Sequence, residues 1–232
     1  MIKQELKKIR TLLHRRFYLS KSGEKDIVEK FHKFFYDAYL FESGWQNVKW
    51  MGETIMKCPF DLIVYQEIIF EKQPNIIIET GTQYGGSALF MANICDLIGR
   101  GEVITVDKKV WGNPKKHDRI THLNGSSTDP DIFKTISSKI KPGDSVMVVL
   151  DSDHTEKHVL KKLELYAPLV TRNQYCIVED TNINGHPVEP DFGAGPHEAV
   201  TKFLKTTNEF HIDKEREKFF VTFNPDGYLL KR

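Results

Sequence analysis

Two stretches of this chain end an apolar run in a cluster of acids. Val148-Val149-Leu150 leads into Asp151-Ser152-Asp153-His154, and Ile177-Val178 leads into Glu179-Asp180-Thr181-Asn182. If both runs are strands of one parallel sheet, their carboxylates meet at the same edge, where unpaired like charges repel and are costly to bury. A hard divalent cation resolves that conflict, and oxygen donors with open positions suit Mg²⁺. Asp151, Glu179 and Asp180 are the expected ligands, with Asp153 in reserve. His154 follows directly. Its ordinary pKa of about 6.5 suits it to take a proton from a hydroxyl that the cation at Asp151 has made more acidic. The plainer readings are solvated loop acids and a capping or surface histidine. His158, one helical turn on, is expected to be structural.

A second kind of chemistry is written in Glu79-Thr80-Gly81-Thr82-Gln83-Tyr84-Gly85-Gly86-Ser87. Glycines allow a tight turn and close approach of backbone to a ligand. The spacing is neither the G-x-G-x-x-G dinucleotide fingerprint nor a P-loop, since no Gly-Lys-Ser/Thr follows. An acid before the first glycine disfavours a pyrophosphate and suits a cationic ligand, such as the sulfonium and amino groups of S-adenosylmethionine. Glu79, Gly81 and Ser87 are the expected contacts to that end of the molecule. Asp107, closing the next apolar run, is placed to accept both hydroxyls of a ribose, or else to cap a turn. Asn124-Gly125-Ser126-Ser127-Thr128-Asp129 is a small hydroxyl-rich loop in which Ser126 would lie near an adenine. It also reads as a helix N-cap before Pro130.

These residues need a frame. Ile76-Ile77-Ile78, Val103–Val106, Ile120–Leu123, Val146–Leu150 and Tyr175–Val178 are short apolar runs. They alternate with helical patterns over Pro59–Glu71, Ser87–Ile98, Asp131–Ile140, Glu156–Leu165 and His197–Lys205. Buried strands alternating with helices imply an α/β, Rossmann-like doubly wound fold with a mostly parallel sheet. Phe210–Ile212 and Phe219–Phe223 have no helix between them and suggest an antiparallel C-terminal edge. The expected division is an N-terminal helical extension and connector over 1–58, followed by the main unit over 59–232. In the extension, Ile2, Leu6, Ile9 and Leu13 share one helical face, and Phe31, Phe34, Phe35 and Tyr39 make an aromatic stripe. Packing against the main unit or a sister subunit, hence a homo-oligomer, is the favoured reading. A membrane-surface helix is weaker, because Glu5, Glu24, Asp26 and Glu29 dilute the basic face.

Bulk properties agree. The 232 residues suffice for one large core, and a formal charge of +1 marks no nucleic-acid binder. No apolar run approaches the roughly 20 residues of a membrane span, and the N-terminus has no signal-peptide core. Cys58, Cys95 and Cys176 are odd in number and widely spaced, as buried reduced thiols of a cytoplasmic protein would be.

With these residues in place, the chain resembles the cephalosporin hydroxylase and rhamnosyl O-methyltransferase family from about Pro59 to Leu230. The resemblance is carried by Asp61 through Tyr65-Gln66-Glu67, by Ile78 to Thr82 with Gly85 to Phe90, and by Asn124 to Ser127. It continues through Leu150 to Thr155, Val178 to Asn182, and Asn184-Gly185-His186-Pro187 leading to Asp191-Phe192-Gly193 and Gly195-Pro196. It implies a methyltransferase using S-adenosylmethionine and Mg²⁺ on a hydroxyl of a small molecule or sugar, a glycan or glycolipid foremost. A more distant likeness to catechol O-methyltransferase implies Asp151, Glu179 and Asp180 as the metal ligands. It puts His154 where that enzyme has a lysine base. The Gly- and Pro-rich loop from Asn182 to Pro196 would cover the acceptor, with His186 as a substrate contact. Two rivals stand beside this reading. One is a hydroxylase or oxygenase with iron on His154, His186 and Asp151; the other is a non-catalytic nucleotide-binding subunit.

Overall fold

The computed structural model describes residues 2–18, 21–109 and 111–232. Met1, Leu19, Ser20 and Val110 lie outside the described residues, so the expected N-terminal helical extension is described only in part. Two helices, α1 (Ile2–Tyr18) and α2 (Lys21–Asp37), open the chain. The connector contains a small hairpin, β1 (Lys49–Trp50) against β2 (Glu53–Thr54). Then come α3 (Pro59–Lys72), β3 (Ile76–Thr80), α4 (Gly86–Leu97), β4 (Glu102–Asp107) and β5 (Ile120–Asn124). They are followed by α5 (Pro130–Ser138), β6 (Val146–Leu150), α6 (Glu156–Tyr166), β7 (Tyr175–Val178), α7 (Pro196–Phe203), β8 (Phe210–Ile212) and β9 (Tyr228–Lys231).

The main sheet has the order β5-β4-β3-β6-β7-β9-β8. β5 through β7 are parallel, and β9 runs antiparallel between β7 and β8. This is the expected doubly wound, Rossmann-like arrangement with an antiparallel edge. The strands can sit in the middle of the molecule because both of their faces are apolar. In β6, Val146, Val148 and Leu150 face the side covered by α5, α6 and α7, while Met147 and Val149 face α3 and α4. All three cysteines are free and buried.

One expected strand does not form. Phe219–Phe223 is irregular, and the antiparallel partner of β8 is Tyr228–Lys231 instead. The buried carboxylate of Asp61 on α3 explains the difference. It accepts hydrogen bonds from Thr222 Oγ1 (2.5 Å), the Phe223 amide (2.8 Å) and the Tyr228 hydroxyl (2.9 Å). A backbone donor that a strand would spend on a neighbour is spent on a side chain.

The order of the sheet sets where a ligand can enter. The connection leaving β3 runs toward β4, and the one leaving β6 toward β7, on the other side. The loops therefore part and leave a crevice at the carboxyl ends of β3 and β6. There the backbones nearly touch. Gly81, just past β3, has φ +110°, and a Cβ at that position would lie 1.7 Å from the Asp151 carbonyl oxygen. Gly81→Ala is therefore expected to cost about 3 kcal/mol or more of folding stability. Urea unfolding should show a lower midpoint at unchanged slope; an unchanged midpoint would mean that the contact is not needed.

Candidate active site

The crevice is a cleft of about 370 Å³. The turn after β3 supplies Gly81 and Gln83, β4 supplies Asp107, and the end of β6 supplies Asp151, Ser152, Asp153 and His154. Asp180 follows β7, and Ile183, Glu189 and Phe192 hang over the opening from the 182–196 loop. Tyr36, Trp45, Met56 and Trp111 complete the walls. Five of these residues are acids and none is Lys or Arg. A cleft of that composition favours cationic ligands.

Ligand atoms of Asp151, His154 and Asp180 all lie within 4.8 Å of one another. Glu179 stands beside them but is turned inward and is not in that group. Its Oε1 accepts a hydrogen bond from Tyr65 and, at 2.6 Å, one from Lys57 Nζ. The same ammonium lies 2.7 Å from Asp151 Oδ2. Burial disfavours the Lys57 charge, but Asp151 and Glu179 outweigh that and hold it firmly protonated. Asp180 is pushed up by burial and by Asp151; Glu179 is pushed up by burial, against the pull of Lys57. With all three carboxyls ionised, three carboxylates against one ammonium leave two negative charges, which is the complement of one divalent cation. The oxygen donors present fit Mg²⁺ on that count.

His154 Nε2 is 3.2 Å from Asp180 Oδ2, and its Nδ1 is buried without a hydrogen-bond partner. Burial lowers its pKa, against the opposing pull of Asp151. Beneath it, the buried Lys162 on α6 donates to the Ser152 carbonyl and Oγ, which fixes the turn that carries Asp151 and Asp153. Burial brings this lysine down to about 8.

The remaining candidates divide between the cleft and its foundations. Asp107 is at the wall, where its two oxygens accept from the amides of Gln83 (2.9 Å) and Lys109 (3.2 Å). Gly81 is also at the wall. Glu79 and Ser87 lie underneath: Glu79 is fully buried and accepts from Ser87 Oγ at 2.5 Å and Thr105 Oγ1 at 2.6 Å. They brace the glycine turn from below. Ser126 bonds to Thr128 at 3.1 Å, and its neighbour Ser127 is the one that lines a small cavity with Asp107, Gly125 and His158. His186 is not brought to the cleft. Glu198, in the first turn of α7, holds its Nε2 at 2.8 Å, and its ring stacks on His197 at 3.8 Å. The iron site of the oxygenase reading thereby loses its second histidine.

Lys57, Tyr65, Tyr36, Trp45, Trp111 and Glu189 were not singled out as site residues. Only Tyr65 carried a signal, since it falls in a stretch shared with the resembled family. Lys57 sits in an aperiodic connector, where nothing local distinguishes a buried lysine from a solvated one.

A sequence profile described as Rhamnosyl O-methyltransferase/CmcI matches residues 42–232. The chain is 40% identical over 214 residues to a Rhamnosyl O-methyltransferase of Mycobacterium tuberculosis, covering 88% of this chain and 85% of that protein. It is 38% identical over 214 residues to one of Mycobacterium leprae, covering 89% and 91%. In solved structures it is similar to apo CmcI, with a TM-score of 0.64 at 19% identity over 82% of this chain and 78% of the other. CmcI with Mg and SAM gives a TM-score of 0.62 at the same identity and coverage. These structural likenesses bear on the fold.

The buried Glu79 yields a pH dependence. Burial, offset in part by Lys57 and Ser87, raises its carboxyl from 4.5 to about 7. Between those values the folded chain keeps a proton that the unfolded chain has lost, so stability falls as pH rises through the window. The slope is at most about 1.4 kcal/mol per pH unit. Glu79→Gln removes this contribution. The variant should therefore gain on the wild type from pH 4.5 to 7 in urea titrations; parallel curves would contradict the assignment.

Proposed function

Because the chain belongs to the Rhamnosyl O-methyltransferase/CmcI family, and is on that ground an O-methyltransferase, we propose that it methylates a sugar hydroxyl of a glycan or glycolipid. The methyl donor in this reading is S-adenosylmethionine, and Mg²⁺ assists. The observation that carries it is the cleft at the sheet's switch point, lined by five acids and by no Lys or Arg. A sulfonium, an ammonium and a divalent cation are the charges such a cleft would take. The three buried free thiols support a reducing, cytoplasmic setting.

S-adenosylmethionine supplies an electrophilic methyl group, and Mg²⁺ supplies a Lewis acid beside the acceptor oxygen. The chain's own residues do the rest. Gly81, with no side chain, lets the turn after β3 close against the end of β6 and forms the wall along which the cofactor would lie. Asp107 accepts the ribose hydroxyls. Ser126 and its neighbour Ser127 bound the adenine end, and Glu79 and Ser87 act from below by holding the turn. Asp151 and Asp180 would hold the metal, with Glu179 beside them, its Oε1 held by Lys57 and Tyr65. His154, whose ring borders Asp151 and Asp180 at the cleft, takes the acceptor proton. The 182–196 loop closes over the acceptor and excludes water. His186, bound to Glu198, contributes by shaping that loop.

The proximity of His154 to Asp151 and Asp180 favours one variation, in which His154 is itself a ligand. Two titrations separate the readings. S-adenosylmethionine titrated calorimetrically should bind at micromolar strength and lose about tenfold or more with Asp107→Ala, a charge-assisted pair being worth about 1.5–3 kcal/mol. Absence of binding to the wild type would end the methyltransferase reading for this cleft. His154→Ala should cut turnover by about 10²–10⁴ while leaving the Mg²⁺ concentration dependence in place. A parallel loss of Mg²⁺ affinity would make it a ligand instead.

A further inference from the structure

The family match begins at residue 42, so α1 and α2 precede it, and they differ from each other in a way that matters. α2 is anchored. His32 and Tyr36 are buried, and the latter packs with Phe35, Tyr39, Trp45 and Phe223 over the sheet edge. α1 is not: every described side chain from Gln4 to Leu13 is exposed, including Leu6 (58%), Ile9 (51%) and Leu13 (51%). These three recur at the spacing that puts them on one helical face, with Lys7 and Lys8 on the opposite side and Arg10 at the margin.

The charge on α1 is concentrated. Its 17 residues include six Lys or Arg and a single acid, Glu5, so the helix alone has a formal charge of six minus one, +5, in a chain whose net charge is +1. Of the four acids that dilute the basic face in the sequence, Glu24, Asp26 and Glu29 belong to the second helix, and only Glu5 to the first. There Asp26 pairs with Lys30 at 2.6 Å and Glu29 with Lys25 at 3.6 Å. With those acids assigned to α2, α1 stands as a strongly basic amphipathic helix. A second copy of the chain is a poor occupant for its apolar face, because two such helices would bring like charges together. A nucleic acid would use the charge and leave the leucines in water. An anionic bilayer surface uses both: the stripe enters the headgroup boundary while the lysines and arginines meet lipid phosphates.

We infer that α1 is an interfacial anchor that seats the enzyme on an anionic phospholipid surface. The helix lies along the surface and does not cross it; among the described residues no helix is long and apolar enough to span a membrane. Such seating would bring the acceptor cleft to lipid-borne substrates, but the anchor is a property of α1 and holds whatever the acceptor is.

The test is sedimentation of the full chain with vesicles of phosphatidylcholine alone and of phosphatidylcholine containing about one third phosphatidylglycerol. Binding to the anionic vesicles only, weakened by salt, is expected. The variant K7Q/K8Q/R10Q should lose at least about tenfold in partitioning, given about 1 kcal/mol per basic residue at an anionic surface. L6S/I9S/L13S should lose it altogether. Both variants should keep the wild-type melting temperature, since all of these side chains are exposed. Absence of binding to anionic vesicles overturns the inference, and so does binding that is equal on neutral vesicles or unmoved by the substitutions. A wild-type dimer in light scattering that L6S/I9S/L13S converts to monomer would assign the face to a second copy instead.

Discussion

The constraint on which this structure depends is the gathering of carboxylates at one edge of a parallel sheet. Parallel strands deliver their last residues to the same side, and here those residues are Asp107, Asp151, Glu179 and Asp180. Water cannot solvate all of them, because α3 and the 182–196 loop close over the edge. The fold answers by placing one buried ammonium, Lys57, between Asp151 and Glu179 and one phenol, Tyr65, on Glu179. That compensation is incomplete by two charges at the centre of the cluster. A deficit of that sign at a cleft favours cationic ligands.

The same constraint accounts for several features away from the cleft. Lys162 is buried because the turn carrying Asp151 needs its carbonyl and hydroxyl held. Asp61, pushed up to about 7 by burial, gathers Thr222, Phe223 and Tyr228 and so links α3 to the C-terminal segment. Glu198 caps α7 through the Gly195 amide and fixes His186 and Asn184. The loop over the cleft is thereby tied to a helix at its far end. Near its middle, Glu189 accepts from the Tyr36 hydroxyl at 3.0 Å. The N-terminal extension, through Tyr36 and Trp45, thus forms part of the cleft wall.

What the sequence by itself determined was the periodic part. Four apolar runs with both faces hydrophobic read as covered strands, with Ile120–Leu123 as a half-exposed edge, and helical patterns among them favour right-handed parallel crossovers. Once that is granted, Asp107, Asp151, Glu179, Asp180 and His154 must sit at one edge, because strand ends are local facts. Gly81 was legible for the same reason, since a turn directly after a strand announces itself in its residues.

Only the tertiary structure decided which of these side chains face the cleft and which support it. Glu79 and Gly81 are two residues apart, yet the first is braced by Thr105 from a neighbouring strand and lies beneath the turn. His186 follows Gly185 in a loop and is claimed by Glu198 from the next helix. Lys57 meets its partners across 94 and 122 positions of chain. Phe219–Phe223 has the composition of a strand and is diverted by a carboxylate on α3. Each of these outcomes depends on a long-range hydrogen bond or ion pair, and pairings of that kind leave no period in the sequence because neither partner's neighbours need change to form them.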